Sequence, residues 1–487
     1  MAQTPQKRTP QDRVPFATKT AFGFGQLAEG VKNASFNLFL FFFYNQVLGL
    51  SGTLTGLGLL IATAFDALTD PLAGSISDRT RHRWGRRHPY MYASAIPLGI
   101  TFALLFSPPT GLGEWGTFGW LVTFAVLVRG SMTLYHVPHM ALGAELSTDY
   151  DERTTIVGFR TAFSMLGLAS VVGVAWLVFF APTPEFARGQ LDPAAYPPFG
   201  LSFGCVIAVS VLVSALGTHD RIPTLPQPKP DTPPFRFADL LQDYGAALSN
   251  PAFRPFFVGV VIFFVMRGIQ EVLGVHMSTY FWVLDQTQIA SVGLSALPGF
   301  ILGVPLWVWV GRRIDKRPAF LCGLVLFSTM VLGPPIAKLA GWFPPNESAF
   351  YVPTLAIATM VAAFGASAGI VMAGSMMADI ADEQELRTGQ RNEGIFFGAL
   401  AFAAKSTSGL GSFIAGLGID FIDFPTQAEP SAVPEAKIVA LGILYGPGIG
   451  VLAVAAIAVL SRYPIDRALH GRITAQLAEA HQARDSD

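Results

Sequence analysis

Charge is what this sequence has least of. Asp, Glu, Lys and Arg make up 13% of its 487 residues, against about a quarter in a soluble domain. That deficit excludes an ordinary water-soluble body. Cysteine is nearly absent: Cys205 and Cys322 both lie in apolar runs, which rules out a cysteine metal cluster and argues against a disulfide framework. There is no G-x-x-x-x-G-K-[ST] stretch, so ATP is not expected to drive the protein, and no Ser–His–Asp or zinc spacing stands out. The first 20 residues are polar and carry Lys7, Arg8, Arg13 and Lys19 without a short apolar core. They are expected to stay in the cytoplasm rather than act as a cleaved signal peptide. A net charge of −1 points to no partner, nucleic acid included.

What is present is apolar: 51% of residues are hydrophobic, with 40 Phe and 49 Gly. A membrane span takes about 20 such residues. By that measure the chain predicts an all-α membrane protein with spans near 22–49, 52–77, 90–107, 117–143, 158–181, 200–217, 254–284, 289–311, 318–340, 351–378, 394–423 and 435–460. The expected organisation is a cytoplasmic tail (1–21), a six-helix bundle (22–217), a cytoplasmic linker (218–253), a second bundle (254–460) and a cytoplasmic tail (461–487). The linker holds Pro223, Pro226, Pro228, Pro230, Pro233 and Pro234, and reads as semi-extended. With both termini inside, 25 of the 32 Lys and Arg fall on the cytoplasmic side and only Arg188, Lys338 and Lys437 on the other. Positive residues favour the cytoplasmic face, so an even number of spans follows.

The halves repeat. Gly74-x-x-x-Asp78-Arg79 is echoed by Gly311-x-x-x-Asp315-Lys316, and Ala144-Glu145-Leu146 through Arg153-Thr154 by Ala378-Asp379-Ile380 through Arg387-Thr388. Parallel repeats with solute bound between them near the midplane are a transporter architecture.

Ionisable residues inside spans cost about 2.5–3.5 kcal/mol each and need a reason. Asp66 and Asp70 share one face of the second span, where they repel unless a cation or proton sits between them. Thr69 and Thr133 offer neutral oxygens, and Lys405 a base that neutralises the pair when no cation is present. The plainer alternative is a structural bridge from one acid to Arg79 or Lys405. Glu29, Lys32, Asn33 and Asn37 form a polar stripe on the first span; the fourth carries Arg129, His136 and His139, the seventh Arg267, Glu271, His276 and Tyr280. These residues either line a hydrated cavity or satisfy each other one turn apart. The run Phe36–Tyr44 reads as lipid-facing or packing surface.

Phe65-Asp66-Ala67-Leu68-Thr69-Asp70-Pro71, followed by Ser77-Asp78-Arg79 and Arg83-Trp84-Gly85-Arg86-Arg87, resembles the glycoside–pentoside–hexuronide:cation symporters of the major facilitator superfamily. Phe22-Gly23-Phe24-Gly25, Asp149-Tyr150-Asp151-Glu152-Arg153-Thr154 and Glu385-Leu386-Arg387-Thr388-Gly389 with Arg391 agree, covering about residues 20–460. The resemblance implies a major-facilitator fold of twelve helices in two pseudo-symmetric bundles. It implies cation binding at Asp66 and Asp70, with Na+ as one candidate, and at Thr69 and Thr133 beside them. Lys405 takes the place of the family's eleventh-helix lysine, and Arg160 that of an arginine near the sugar. The sugar grip departs from the family: Glu29-Gly30 replaces a Lys-Asp pair, His136 an aspartate, and Met140 a stacking tryptophan. An altered solute follows, with a lysolipid or other amphiphile as the alternative.

The expected function is cation-coupled symport, with Na+ or H+ as coupling ion, no cofactor and no enzymatic activity. The solute is a small molecule, a sugar or glycoside, carried by alternating access. Asp78, Arg79, Arg83, Arg86, Arg87, Glu145 and Asp149 are expected to form a cytoplasmic gate. The expected setting is the inner membrane, as a monomer in lipid. An uncoupled facilitator or channel and an intramembrane enzyme are the rivals from other classes.

Overall fold

A computed structural model describes residues 14–226, 237–389 and 393–486. Lys7, Arg8, Arg13, Pro228, Pro230, Pro233, Pro234 and Arg391 lie outside the described residues. Among the described residues, helical segments occupy all twelve of the expected spans. They are α1 (Phe16–Ser35, continuing through π turns Phe36–Leu40 and Phe43–Val47), α2 (Gly52–Arg79), α3 (His88–Leu105), α4 (Glu114–Glu145), α5 (Tyr150–Val174, then Ala175–Phe179) and α6 (Tyr196–Gly217). After them come α7 (Phe253–His276, then Met277–Phe281), α8 (Gln286–Leu294 and Ala296–Arg313), α9 (Lys316–Leu339), α10 (Tyr351–Thr388), α11 (Glu393–Phe421) and α12 (Glu435–Leu460, with a π turn in its middle). Nine of the described helices, all but α1, α3 and α11, are long and apolar enough to cross a membrane on length and composition.

Two compact units divide the chain. The first comprises residues 1–44 and 61–235, the second residues 45–60 and 236–487. Residues 45–60, the α1–α2 turn and the start of α2, therefore group with the second unit, where both Asp420 carboxylate oxygens accept from the first α2 amides, Gly52 N at 2.8 Å and Thr53 N at 2.7 Å.

Both units bring helices together through glycine. In the first, a Cβ on Gly30 of α1 would lie 2.1 Å from the Ser164 carbonyl of α5. In the second, a Cβ on Gly411 of α11 would lie 2.9 Å from the Cα of Gly268 in α7. Small residues allow such close backbone approach where lipid supplies no hydrophobic drive. Phe36, Phe39, Phe41, Phe42, Phe43 and Tyr44 are all buried. Of the two readings of that run, packing surface is the one observed.

The linker differs from the semi-extended expectation. Phe237–Ser249 is helical, and Tyr244 donates to the Gly398 carbonyl at 3.2 Å. The physical reason is local: the prolines cluster at 223–234 and at 251, leaving a proline-free stretch with apolar residues on one side. The tail after α12 is also ordered, as helix Arg467–Ser486. Ile473 and Leu477 are buried, one turn apart, and His470 and His481 meet acids of α10, Asp379 and Asp382 at 3.3 Å and Glu385 at 3.0 Å.

Candidate cation and solute site

Two helices of the first unit build the acidic centre. Asp66 and Asp70 lie one turn apart on α2, and Arg129 and Thr133 one turn apart on α4, so each helix presents a matched pair. The Thr133 hydroxyl lies 2.8 Å from Oδ1 of Asp66 and 2.8 Å from Oδ1 of Asp70. One hydroxyl carries one proton and cannot serve two ionised carboxylates at full strength. The arrangement is satisfied when a proton or a cation shares the oxygens. Nη1 of Arg129 donates to Oδ2 of Asp66 at 3.1 Å, and its guanidinium carbon stands 5.3 Å from the Phe36 ring centroid. Both partners of that ion pair are largely buried. Pro71, inside α2, has no N–H and so takes the helical donor away from the Ala67 carbonyl.

Thr69 is turned differently. Its hydroxyl donates back along α2 to the Phe65 carbonyl at 2.9 Å, so only its lone pairs remain for a cation. Lys405 is half-buried on α11 of the second unit.

A second polar cluster faces α4 from α1. Oε1 of Glu29 accepts from Lys32 at 3.2 Å and from Asn33 at 2.9 Å, and Oε2 lies 3.9 Å from Nδ1 of His136. Lys32 is buried, Asn33 exposed and Asn37 half-buried. On α5, Nη1 of Arg160 donates to the Met140 sulfur at 3.0 Å, a weak acceptor for so strong a donor. Glu29, Lys32, Asn33, His136, Met140 and Arg160 all belong to the first unit. His139 points elsewhere: its ring stacks on Phe22 at 4.2 Å and its Nε2 lies 2.9 Å from the Phe22 carbonyl oxygen.

The α7 residues divide. Arg267 pairs with Glu271 at 2.9 Å and donates to Gln270 at 2.6 Å, the one-turn self-satisfaction weighed from sequence. His276 and Tyr280 do not fit the expected solute contact. Both are fully buried; His276 lies 3.2 Å from Asn45 Oδ1, and Tyr280 donates to Gln46 Oε1 and the Ala428 carbonyl, each at 2.9 Å. They hold residues 45–60 within the second unit, and full burial leaves them no open face for a solute.

Of the expected gate, Glu145 at the end of α4 accepts from Arg86 and Arg87, each at 2.7 Å, and Arg87 also pairs with Asp78. The remaining members act locally. Arg79 donates to Ser75, Arg83 lies over the Trp84 ring, and Asp149 caps α5 by accepting from the Glu152 amide at 2.9 Å. In the second unit the repeat-related acid, Asp379, is held by Lys316 at 2.6 Å, the counterpart of Arg79 rather than of Arg86 or Arg87.

Sequence reasoning missed Arg129 as a partner of Asp66. The signal was there, because 129 and 133 have the same one-turn spacing as 66 and 70. The spacing alone did not single it out, and the bridge weighed from sequence ran to Arg79 or Lys405 instead.

The model of a family described as MFS/sugar transport protein matches residues 21–467. Among curated relatives, the isoprimeverose transporter of Lactiplantibacillus pentosus is 24% identical over 97% of this chain and 93% of its own length. The sodium-dependent lysophosphatidylcholine symporter 1 of Mus musculus is 25% identical over 84% of this chain and 78% of its own. Among solved structures, the nucleoside transporter NupG superposes with a TM-score of 0.58 at 14% identity, covering 91% of this chain and 98% of that one. At that identity the likeness concerns fold alone.

Proposed function

The chain belongs to the MFS/sugar transport protein family, and we propose that it works there as a cation-coupled symporter of a small solute, a sugar or glycoside. Its fold is that of the major facilitators, all-α, with twelve membrane helices in two pseudo-symmetric bundles, and it is a multi-pass membrane protein and a transporter. In our reading Asp66, Asp70 and Thr133 hold the coupling cation, sodium or a proton, and Lys405 serves as the base that answers those acids. The Glu29, Lys32, Asn33, His136 and Arg160 group contacts the solute. The two units, 1–44 with 61–235 and 45–60 with 236–487, act as the moving halves. Both termini lie on the cytoplasmic side of the cell membrane, and the protein is not an enzyme.

One observation carries this reading: a single hydroxyl held 2.8 Å from two carboxylates, on a helix that is a candidate span. Two acids so placed make it costly to keep both ionised, and a proton or cation that enters and leaves such a pair is what coupling requires. At about 100 mV one cation supplies about 2.3 kcal/mol, enough for roughly 40-fold accumulation at 1.4 kcal/mol per tenfold.

A second reading keeps the cation and changes the cargo. The name of the Mus musculus relative, a lysophosphatidylcholine symporter, favours an amphiphile.

Uptake into proteoliposomes, with a panel of glycosides, pentosides, uronides and lysolipids under a sodium or a pH gradient, tests both. One solute class is expected to accumulate above equilibrium, and Asp70→Asn is expected to abolish that accumulation. Full gradient-driven uptake by Asp70→Asn would remove the proposed coupling site. Equilibration without accumulation in the native protein would point to a facilitator.

A further inference from the structure

We propose that Arg129 is the specificity-determining residue of the cation pocket: its guanidinium is a tethered cation on Asp66, and it keeps sodium out of the site between α2 and α4. The inference rests on the reading of Asp66 and Asp70 as the coupling acids.

A hard metal cation is held by several oxygens at once, carboxylates foremost. The pocket offers the two oxygens of Asp66, those of Asp70 and the hydroxyl of Thr133. Arg129 already takes Oδ2 of Asp66 at 3.1 Å, while Oδ1 of the same carboxylate is committed to Thr133 at 2.8 Å. A sodium ion bridging the two aspartates would share Asp66 with a full positive charge a few ångströms away. The Arg129–Asp66 pair is largely buried, where that repulsion is less screened than in water.

Arg129 has two further properties that suit it to this task. A guanidinium does not shed its proton in a protein, whereas a lysine here would have that escape when a competing cation arrived. Its head is also confined. The α1 ring of Phe36 lies beside it at 5.3 Å and is itself buried, and the Arg129 side chain is only 13% exposed. Moving aside for sodium would leave a buried cation uncompensated, which is strongly unfavourable. A proton needs no shell of oxygens, which is what the Arg129–Asp66 pair denies to sodium; the Arg129 charge still opposes a proton on Asp66, so Asp70 is the acid that would carry it.

Sodium alone is the probe, with the full-length protein in lipid nanodiscs and choline chloride holding the ionic strength. Saturable sodium binding and sodium-specific thermal stabilisation are both read. The native protein is expected to show neither. Arg129→Gln, which keeps a donor for Asp66 without the charge, is expected to bind sodium at least tenfold more tightly than the native protein, and the added change Asp70→Asn is expected to remove that gain. Saturable sodium binding by the native protein that Asp66→Asn abolishes would overturn the proposal, as would a folded Arg129→Gln variant with no sodium binding. If Arg129→Gln does not fold, the titration of the native protein still decides. Because no solute or gradient is involved, failure of the uptake experiments would strike the symport reading and leave this result standing, and the converse also holds.

Discussion

At the scale of the residue, burial separates functional polarity from structural polarity. Asp66, Thr133, His139 and His276 are all buried, yet only the first two belong to the group in which one hydroxyl lies 2.8 Å from two carboxylates. Thr133→Val removes the shared hydroxyl and nothing larger. A hydrogen bond to a charged group contributes about 1.5–3 kcal/mol, so the half-saturating concentration of the coupling cation in uptake assays should rise at least tenfold. His139→Ala should act on stability instead. It deletes a ring stacked on Phe22 and should cost about 2 kcal/mol, a large but ordinary value for a core change. Thermal melts should reveal that loss while the solute preference of the protein stays the same.

At the scale of the element, the repeat visible in the sequence reappears as paired contacts. Glu145 at the end of α4 is held by Arg86 and Arg87, and Asp379 near the end of α10 by Lys316. Each pair joins an acid late in one helix to a base just past the second helix of its own unit. Removing one partner of a buried pair costs about 3–5 kcal/mol. Glu145→Gln and Asp379→Asn should therefore each lower the melting temperature read in thermal unfolding. The glycine contacts carry a second prediction. Gly30→Leu forces a side chain into the Ser164 carbonyl, and overpacking of this kind costs about 1–3 kcal/mol. The variant should lose the sharp monodisperse peak in size-exclusion chromatography, whereas Gly158→Leu on α5, with open space around it, should keep it.

At the scale of the whole molecule, the proposed topology puts both ends on the cytoplasmic side. A fluorescent protein fused after residue 487 should fluoresce, and alkaline phosphatase at the same point should be inactive. In the loop between α9 and α10, around Pro345, the pattern should invert; matching signals at the two positions would refute the topology. The helix count, the repeat and the α2 acid pair were legible from sequence alone. These depend on local quantities: apolar run length, charge placement and the 3.6-residue period that puts 66 and 70 on one face. Tertiary structure decided what spacing cannot encode. It set Arg129 beside Asp66, where the sequence had offered Arg79 or Lys405, buried His276 and Tyr280 among packing contacts, and folded the proline-free end of the linker. Hydropathy reports how well a residue tolerates lipid or core, and it is silent on which neighbour will be there. That choice belongs to helix packing, in which close backbone contacts at positions such as Gly30 determine which faces meet.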